Sequence, residues 1–550
     1  MLNGNSISCN SGNVSVSGST VTISEEGTYV LSGTLADGSV IVDADKSEKV
    51  QLVLNGVSIH SQTSAPIYIR QADKVFVTLA AETQNSLSNG GSFTADGDTN
   101  IDAVIFSKDD LTLNGSGQLA ITSPGGHGIV SKDSLRIAGG SFCLDVSGHS
   151  LSGQDEVSIA DGTFDIVAGK DGIHAENSED ADAGFVYLEN GTYRITAGGD
   201  GISASGSCTV VDGDYTITTG GGSETLQRTT SSQGFGRGQF GGSTPTDRPQ
   251  FDTQSMPERG TGGKGGMGGK GMDRMNQMPA NGQNTTVPAE ETDTESTKGI
   301  KADSLTIDGG SFHVDSADDG LHANCNLTVQ GGTLELASGD DGIHADETVT
   351  ILSGKIQITD SYEGIEGQHV YIQGGDVTLN ATDDGLNAAG GMDGSGFGRR
   401  NDTFTTSGDT PSIVISGGSI RITASADGID ANGTLEITGG TVIVSAPTFG
   451  DTAVLDFDRS GTISGGTFIG TGAASMAQTF SGNTQGVICV NTGSQNAGTQ
   501  IALTDSSGSV ILSDTPELDF EVVILSCPAI ASGESYTLRV GNTAQNFTAK

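Results

Sequence analysis

One short phrase, Asp-Gly-Ile/Leu-x-Ala, returns through the middle of the chain at an almost constant interval. Copies or close variants begin at Lys298, Asp319, Asp341, Glu363 and Asp384, and their glycines follow one another at steps of 21, 22, 22 and 21 residues. This interval is too long for a coiled coil and too short for a two-helix repeat. It predicts an all-β protein, a right-handed parallel β-helix with coils of about 22 residues.

A second phrase, Ile/Val-x-Gly-Gly-x followed by an aromatic or aliphatic residue, lies between successive copies of the first. Each repeat therefore has three short strands: strand A follows Asp-Gly, strand B precedes Gly-Gly, and strand C follows Gly-Gly. Because side chains alternate along a strand, one apolar set should point into the core. In the repeat that begins at Gly299 this set is Ile300, Leu305, Ile307, Phe312 and Val314.

The pattern divides the chain into three parts. We expect residues 1–60 to form an N-terminal β cap, 61–480 the β-helix, and 481–550 a small C-terminal β module. Caps are expected because an open solenoid end would expose a strand edge. Two insertions interrupt the repeats, at 220–297 and 390–411; the first is rich in Gly and Met and is predicted to be disordered. Both flank strand A, so loops border the strand A face.

Composition restricts the classes of partner. The 550 residues include 25 basic and 68 acidic side chains, which give a formal net charge of -43. This charge disfavours nucleic acid, and membrane insertion is not expected because no apolar run approaches the roughly 20 residues that span a bilayer. We expect a monomer that is secreted or attached to the cell surface, although no signal sequence is visible at the start of this chain.

Cysteine chemistry is not expected to contribute to function. The six cysteines are widely spaced, and no Cys-x-x-Cys pair indicates zinc. Cys489 and Cys527 are close enough in sequence to pair within the C-terminal module, and the sequence leaves both a disulfide and free thiols open.

The repeats place acidic side chains in columns on the strand A face. A turn column precedes strand A, and alternation predicts outward columns along strand A itself. The candidate metal ligands in these columns are Asp318, Asp319, Asp340, Asp341, Asp346, Glu363, Glu366, Asp383, Asp384, Asp427 and Asp430.

Stacked carboxylates need a cation or a proton. At a strand spacing of about 4.8 Å they repel by about 1 kcal/mol per pair in bulk water, and by more where solvent is excluded. Calcium takes six to eight oxygen ligands, so it is the expected cofactor. The histidines of the column leave zinc as an alternative, but neutral imidazoles among carboxylates favour surface hydrogen bonding. A simpler interpretation of Asp-Gly is turn chemistry alone.

Several stretches carry a resemblance to a known family. They are Gly-Thr-Tyr-Val-Leu-Ser-Gly at 27–33, Val-Gln-Leu-Val-Leu-Asn-Gly-Val at 50–57, the Asp-Gly-Ile-His-Ala repeats, the Gly/Met-rich insertion and Gly-Glu-Ser-Tyr-Thr-Leu at 533–538. The chain resembles the clostridial-type, calcium-containing β-helix proteins known as carbohydrate-binding domain-containing, which are related in shape to pectate lyases. The resemblance implies a bacterial protein that binds acidic plant cell-wall polysaccharide, typically polygalacturonate, together with calcium.

Three functions compete. The first is calcium-dependent binding of a uronate-containing, pectin-type polysaccharide, because calcium would bridge protein and sugar carboxylates and the chain has no Trp for an aromatic platform. The second is a pectate lyase with Lys301 as the catalytic base; the alternative role of Lys301 is to neutralise Asp303 and Asp319. The third is a structural surface stalk or adhesin. The candidate sugar-binding residues are His322, His344, Asn324, Asn387, Arg399 and Arg400.

Overall fold

The structure is a computed structural model that describes residues 1–9, 12–225, 296–389, 410–450 and 452–550. In these ranges the chain is all-β, and a 3₁₀ turn at Ser223–Thr225 is the one helical element. Most of both predicted insertions, including Arg399 and Arg400, lies outside the described residues. No helix in the described ranges is long and apolar enough to cross a membrane.

The first strands include one antiparallel hairpin, formed by β2 and β3. They are β1 (Leu2–Gly4), β2 (Val14–Ser17), β3 (Thr20–Ile23), β4 (Gly27–Leu35), β5 (Ser39–Asp43), β6 (Lys49–Ser61), β7 (Ile67–Gln71), β8 (Lys74–Leu79) and β9 (Gln84–Asn89). Parallel pairing starts within residues 1–60, because β1 pairs with β4, β3 with β5 and β4 with β6. The ladder continues beyond them, where buried Val40 and Val42 of β5 stack on Ile67 and Ile69 of β7.

Up to the first insertion the strands recur in threes. They are β10 (Ala103–Ser107), β11 (Asp110–Gly115), β12 (Gln118–Ser123), β13 (His127–Ser131), β14 (Ser134–Ile137), β15 (Ser141–Val146), β16 (Leu151–Gly153), β17 (Glu156–Ile159), β18 (Thr163–Ala168), β19 (Ile173–Ala175), β20 (Phe185–Leu188), β21 (Thr192–Ala197), β22 (Ile202–Ala204), β23 (Ser207–Val210) and β24 (Asp214–Thr219).

After the first insertion, strands A and B join into one longer strand in four repeats. The strands are β25 (Ile300–Ile307), β26 (Ser311–Ser316), β27 (Leu321–Val329), β28 (Thr333–Ser338), β29 (Ile343–Ile351), β30 (Lys355–Asp360), β31 (Ile365–Ile372), β32 (Asp376–Ala381) and β33 (Leu386–Ala388).

Beyond the second insertion the three-strand pattern returns and then gives way to antiparallel strands. These strands are β34 (Ser412–Ile415), β35 (Ser419–Ala424), β36 (Ile429–Ala431), β37 (Thr434–Ile437), β38 (Thr441–Ser445), β39 (Leu455–Phe457), β40 (Ser460–Ile463), β41 (Thr467–Gly472), β42 (Gly482–Asn483), β43 (Val487–Gln495), β44 (Ile501–Thr504), β45 (Val510–Asp514), β46 (Phe520–Ser526), β47 (Ser535–Val540) and β48 (Thr543–Thr548).

Parallel ladders connect each strand to its equivalent one repeat later. The strand C ladder, for example, runs from β12 through β15, β18, β21 and β24 to β26 and β28. The last part of the strand A ladder runs from β31 through β33 and β36 to β39. This pairing is compatible with a solenoid, as the 21- and 22-residue steps predict.

The predicted inward set forms part of one long apolar core. Ile300, Leu305, Ile307, Phe312 and Val314 are all between 0% and 2% exposed. The alternation of side chains along strands therefore identified the core face correctly, because a strand places every second residue on the same side.

Glycines at the corners allow successive repeats to approach closely. The second glycine of a Gly-Gly pair, Gly332, has a φ of +92°, which a residue with a Cβ rarely adopts. A Cβ on Gly320 would lie 2.6 Å from the carbonyl oxygen of Gly342 in the next repeat. Gly is therefore required at the start of strand A by packing between repeats.

The C-terminal strands form antiparallel pairs. Strand β46 pairs antiparallel with β43 and also with β41, the last strand of ladder C. Strands β45, β44, β47 and β48 form a separate four-stranded sheet. Cys489 and Cys527 are free thiols, so the disulfide that the sequence left open is not formed here.

Candidate metal centre

The turn column is held together by hydrogen bonds to the backbone. In most repeats Oδ1 of the turn aspartate accepts the N–H of the equivalent turn residue one repeat later. The distances are 2.8 Å from Asp171 to Asp200, 2.8 Å from Asp200 to Lys298, 3.0 Å from Asp319 to Asp341, 3.3 Å from Asp341 to Glu363 and 2.7 Å from Asp384 to Asp427. Turn chemistry thus accounts for one oxygen of each acid and leaves the second for other contacts.

His322 and His344 lie next to this column and are buried, with exposures of 3% and 2%. The sequence predicted surface positions, and the structure corrects this prediction. Their Nδ1 atoms lie 2.9 Å and 3.0 Å from Oδ2 of Asp319 and Asp341. The two rings also stack, with centroids 5.0 Å apart. A turn aspartate covers one edge of each imidazole ring, and the other histidine covers one of its faces. Little surface of either ring therefore remains exposed.

Three carboxylates surround His344. Nδ1 lies 3.0 Å from Asp341 and 3.1 Å from Glu366, and Nε2 lies 3.1 Å from Asp346. Burial favours the neutral ring, but the hydrogen bonds to these carboxylates outweigh it and raise the pKa of His344 well above its usual value. The imidazolium supplies one positive charge to these three carboxylates, and burial with repulsion from Glu366 and Asp340 raises the pKa of Asp341 well above its usual value, which favours its protonated form. Ligand atoms of Asp341, His344 and Glu366 also lie close enough together to hold a metal ion.

Lys298 supplies the cation one repeat earlier. This side chain is 0% exposed, and Nζ lies 2.6 Å from Asp319 Oδ2 and 3.2 Å from Asp318 Oδ1. Although burial opposes ionisation, the ammonium keeps the pKa of Asp319 below its usual range. The neutralising role at Asp319 that the sequence offered to Lys301 therefore belongs to Lys298. The sequence already indicated this role, because Lys298 stands at the first position of the Asp-Gly-Ile/Leu-x-Ala phrase, where the other repeats have an acid.

The remaining candidates of this half lie near the same column. Asp340 has a carboxylate oxygen close to those of Asp318 and Asp319. Asn324 is exposed and its Oδ1 lies 3.1 Å from His322 Nε2. Lys301 is half-buried on β25 and pairs in register with His322.

The C-terminal end of the column has a different composition. One carboxylate oxygen from each of Asp427, Asp430 and Asp456 lies within 4.8 Å of the others. Burial and neighbouring acids raise the pKa of Asp430 to about 7 and that of Asp427 to about 6. In the described part of the chain these three acids have no ion pair with a basic side chain. A cation is therefore expected here if the acids are ionised.

Asn387 provides a further oxygen beside these acids. Its strand pairs with Glu366 on one side and with Asp430 on the other. Nδ2 donates to Glu363 at 2.7 Å and to Glu366 at 3.5 Å. Oδ1 is buried and has no hydrogen-bond partner among the described residues. An unpaired buried acceptor costs about 1–3 kcal/mol, a cost that a bound cation removes.

This donor set fits calcium. Bonds of about 2.3–2.6 Å allow two oxygens on one ion to lie up to about 5 Å apart, and the three carboxylates meet that limit at 4.8 Å. Asp384 adjoins the set, and burial followed by repulsion from Asp383 and Asp427 raises its pKa to about 8. The residues that would hold the ion are Asp384, Asn387, Asp427, Asp430 and Asp456, and together they are called the calcium centre below.

Sequence reasoning missed Asp456. Its repeat has lost Asp-Gly and reads Ala453-Val454 at the turn. Only the pairing of β36 with β39 places Asp456 beside Asp430.

A profile of the carbohydrate-binding domain-containing protein family matches residues 17–342 and 340–514. The chain belongs to this family. A carbohydrate-binding domain-containing protein from Acetivibrio thermocellus is 39% identical over 130 residues, which are 23% of this chain and 46% of that protein. The match thus covers about half of the relative's length. The family match confirms the resemblance at family level, and the family's description refers to carbohydrate binding.

One solved structure is also similar to this carbohydrate-binding domain-containing protein. It is described as the polysaccharide lyase-like protein from C. thermocellum, in a gadolinium derivative. Identity is 35%, the TM-score is 0.38, and the match covers 40% of this chain and 89% of the other.

Proposed function

We propose that this protein is a secreted, calcium-dependent and non-catalytic binding protein for acidic polysaccharide of the pectin type. The observation that carries the proposal is the buried Oδ1 of Asn387, which has no hydrogen-bond partner among the described residues and lies beside acids without a basic partner in that part of the chain. The repeats are proposed to close into a right-handed parallel β-helix, which stacks the donors of the calcium centre on one face.

The charge of the chain supports a cation-mediated mode of binding. A protein with a net charge of -43 repels a polyuronate unless a cation lies between them. Calcium retains open coordination positions when a protein supplies only some of its six to eight ligands. A uronate carboxylate can fill such a position, so the same ion would satisfy the protein acids and attract the polymer.

The position of Lys301 disfavours the lyase alternative. Lys301 is separated from Asn387 by four steps of strand pairing, through His322, His344 and Glu366. At about 4.8 Å per step the separation is roughly 19 Å. A general base must come within hydrogen-bond distance of the proton it removes. Lys301 therefore does not reach a sugar whose carboxylate is bound at the calcium centre.

The test is retention on immobilised polygalacturonate, with calcium and with a chelator. We expect wild type to bind in calcium and to elute with chelator, and the Asp430→Asn/Asp456→Asn variant to be released in calcium as well. The control is Asp165→Asn/Asp376→Asn, which removes the same charge from exposed strand C positions and should bind like wild type.

Two results would contradict the proposal. Retention that ignores chelator would show that calcium is not required for binding. Continuous release of unsaturated uronate by wild type, lost in Lys301→Ala, would establish the lyase instead.

A further inference from the structure

Three histidines lie in the earlier repeats, N-terminal to the calcium centre. His127 and His149 occupy the turn column, and His174 lies on β19. Their rings form a stack, with centroids 5.0 Å apart at 3° for the first pair and 4.1 Å apart at 20° for the second. All three line a cavity of about 430 Å³. This volume falls within the range of roughly 300–1,000 Å³ that is usual for small-molecule sites.

The backbone determines which ring nitrogen carries the proton. His127 Nδ1 accepts the N–H of His149 at 2.9 Å, and His149 Nδ1 accepts the N–H of Asp171 at 3.3 Å. Burial, with a smaller effect of His149, lowers the pKa of His127 to about 4, so this ring is neutral at pH 7. A neutral ring that accepts at Nδ1 has its proton at Nε2. The free edge of His127 therefore presents an N–H donor.

A transition metal does not fit this stack. Oδ2 of Asp171 lies 3.2 Å from His149 Nδ1 and 2.7 Å from His174 Nδ1, which places three potential ligands together. Zinc, however, binds imidazole nitrogen at about 2.0–2.1 Å along the lone pair, which lies in the ring plane. The rings of His149 and His174 are nearly parallel, so their lone pairs do not converge on one ion.

Groups of both signs complete the cavity wall. Lys132 and Lys170 line it with exposed ammonium side chains, and Asp102, Glu176 and Glu179 line it with carboxylates. Oδ1 of Asp102 is buried and accepts no hydrogen bond from the described residues. Ammonium and imidazole N–H groups donate to a carboxylate, whereas Asp102 accepts from a hydroxyl. A sugar ring that carries both a carboxylate and hydroxyls offers an acceptor to the ammonium and imidazole donors, and hydroxyl donors to the carboxylates.

We propose that this cavity is a second, calcium-independent subsite for a uronate unit. The inference rests on the proposed function, because it assumes that the polymer is an acidic polysaccharide. The sugar carboxylate lies between Lys132, Lys170 and the Nε2–H of His127, and a ring hydroxyl donates to Asp102. One polymer chain held at this subsite and at the calcium centre would bind more tightly than at either alone.

The test is calorimetric titration of the full chain with trigalacturonate, in the presence of chelator. The His127→Asn/His149→Asn variant keeps a side-chain oxygen for the backbone N–H, as the aspartates of other repeats do, and removes the two imidazole rings with the Nε2–H donor of His127. Lys132→Gln/Lys170→Gln removes the ammonium groups. We expect each pair to weaken binding by about tenfold or more, and His313→Asn, on exposed strand C, to have no effect.

The outcomes separate this subsite from the calcium centre. Wild-type binding in chelator that both cavity variants lose supports the subsite, even if the calcium centre fails its own test. Wild-type binding only with calcium, or binding in chelator that both variants retain, overturns the subsite and leaves the calcium centre standing. Absence of binding under both conditions overturns both proposals.

Discussion

Asp200 shows at the scale of one residue how the turn column limits stability. It is 3% exposed, and Oδ1 accepts the N–H of Lys298 at 2.8 Å. Burial, followed by repulsion from Asp171, raises its pKa to about 6. An aspartate in the unfolded chain has a pKa of about 3.9. Between these values the folded state holds a proton that the unfolded state has released, so stability falls as pH rises through this window.

Asp200→Asn should therefore stabilise the protein at pH 8. The amide keeps an oxygen for the N–H of Lys298 and has no charge to bury. Urea unfolding should show a gain of about 3 kcal/mol at pH 8, since the pKa difference is about two units and each unit corresponds to about 1.4 kcal/mol, and little change at pH 4. Asp165→Asn, at an exposed position, should change neither value. An equal gain at both pH values would show that ionisation is not the cause.

Lys298→Met should have the opposite effect. Methionine has a similar length but leaves the half-buried carboxylate of Asp318 and the buried carboxylate of Asp319 without the ammonium that contacts both. Loss of one member of a buried ion pair costs about 3–5 kcal/mol. Denaturant titration should show this loss of unfolding free energy. Lys301→Met, at a half-buried position on β25, should show a far smaller loss. Similar losses in both variants would mean that Lys298 has no special role.

At the scale of the element, strand C holds an aromatic stack in the core. Phe142, Phe164, Tyr193, Tyr215 and Phe312 follow one another with centroid distances of 5.0, 4.9, 4.6 and 4.6 Å. Parallel in-register pairing of ladder C places each ring above the previous one. The stack therefore ties neighbouring repeats together before the first insertion and continues into the repeat after it.

Tyr193 is the central ring and gives the element-scale prediction. Tyr193→Ala should destabilise by about 3–5 kcal/mol, because it leaves a cavity between two rings. Tyr193→Phe should cost about 1 kcal/mol, since only the hydrogen bond from the hydroxyl to the carbonyl oxygen of Asn190 is lost. Chemical denaturation measures both, with Tyr187→Phe on β20, which is 38% exposed, as the control. A loss as large for Phe as for Ala would contradict a packing role.

At the scale of the whole molecule, the net charge is the main electrostatic influence on stability. A net charge of -43 destabilises the folded chain by self-repulsion, which monovalent salt screens gradually. Calcium that binds the folded state alone adds RT ln(1 + [L]/Kd) to stability, and therefore acts at far lower concentration.

Melting temperatures should separate these two effects. NaCl should raise the melting temperature of wild type and of Asp430→Asn/Asp456→Asn alike, because screening does not depend on one site. Micromolar to millimolar calcium should raise it further in wild type and not in the variant. If calcium raises both equally at matched ionic strength, the ion binds elsewhere.

The sequence by itself determined the repeating architecture and its inward face. Glycine steps of 21 and 22 residues and strict alternation placed Ile300, Leu305 and Phe312 in the core, where the structure has them. The physical reason is that both signals are local: a corner needs glycine, and a strand alternates, whatever lies in the next repeat.

Only the tertiary structure decided how the charges of the strand A face are balanced. Partners there come from different repeats: Lys298 contacts Asp319, which is 21 residues away, and His344 contacts Glu366 at a separation of 22. Asp456 joins Asp430 only through strand pairing, since its own turn has lost the phrase. Periodicity shows that such residues share a column, but burial and the direction of each side chain select which neighbour supplies the proton, the ammonium or the unpaired oxygen.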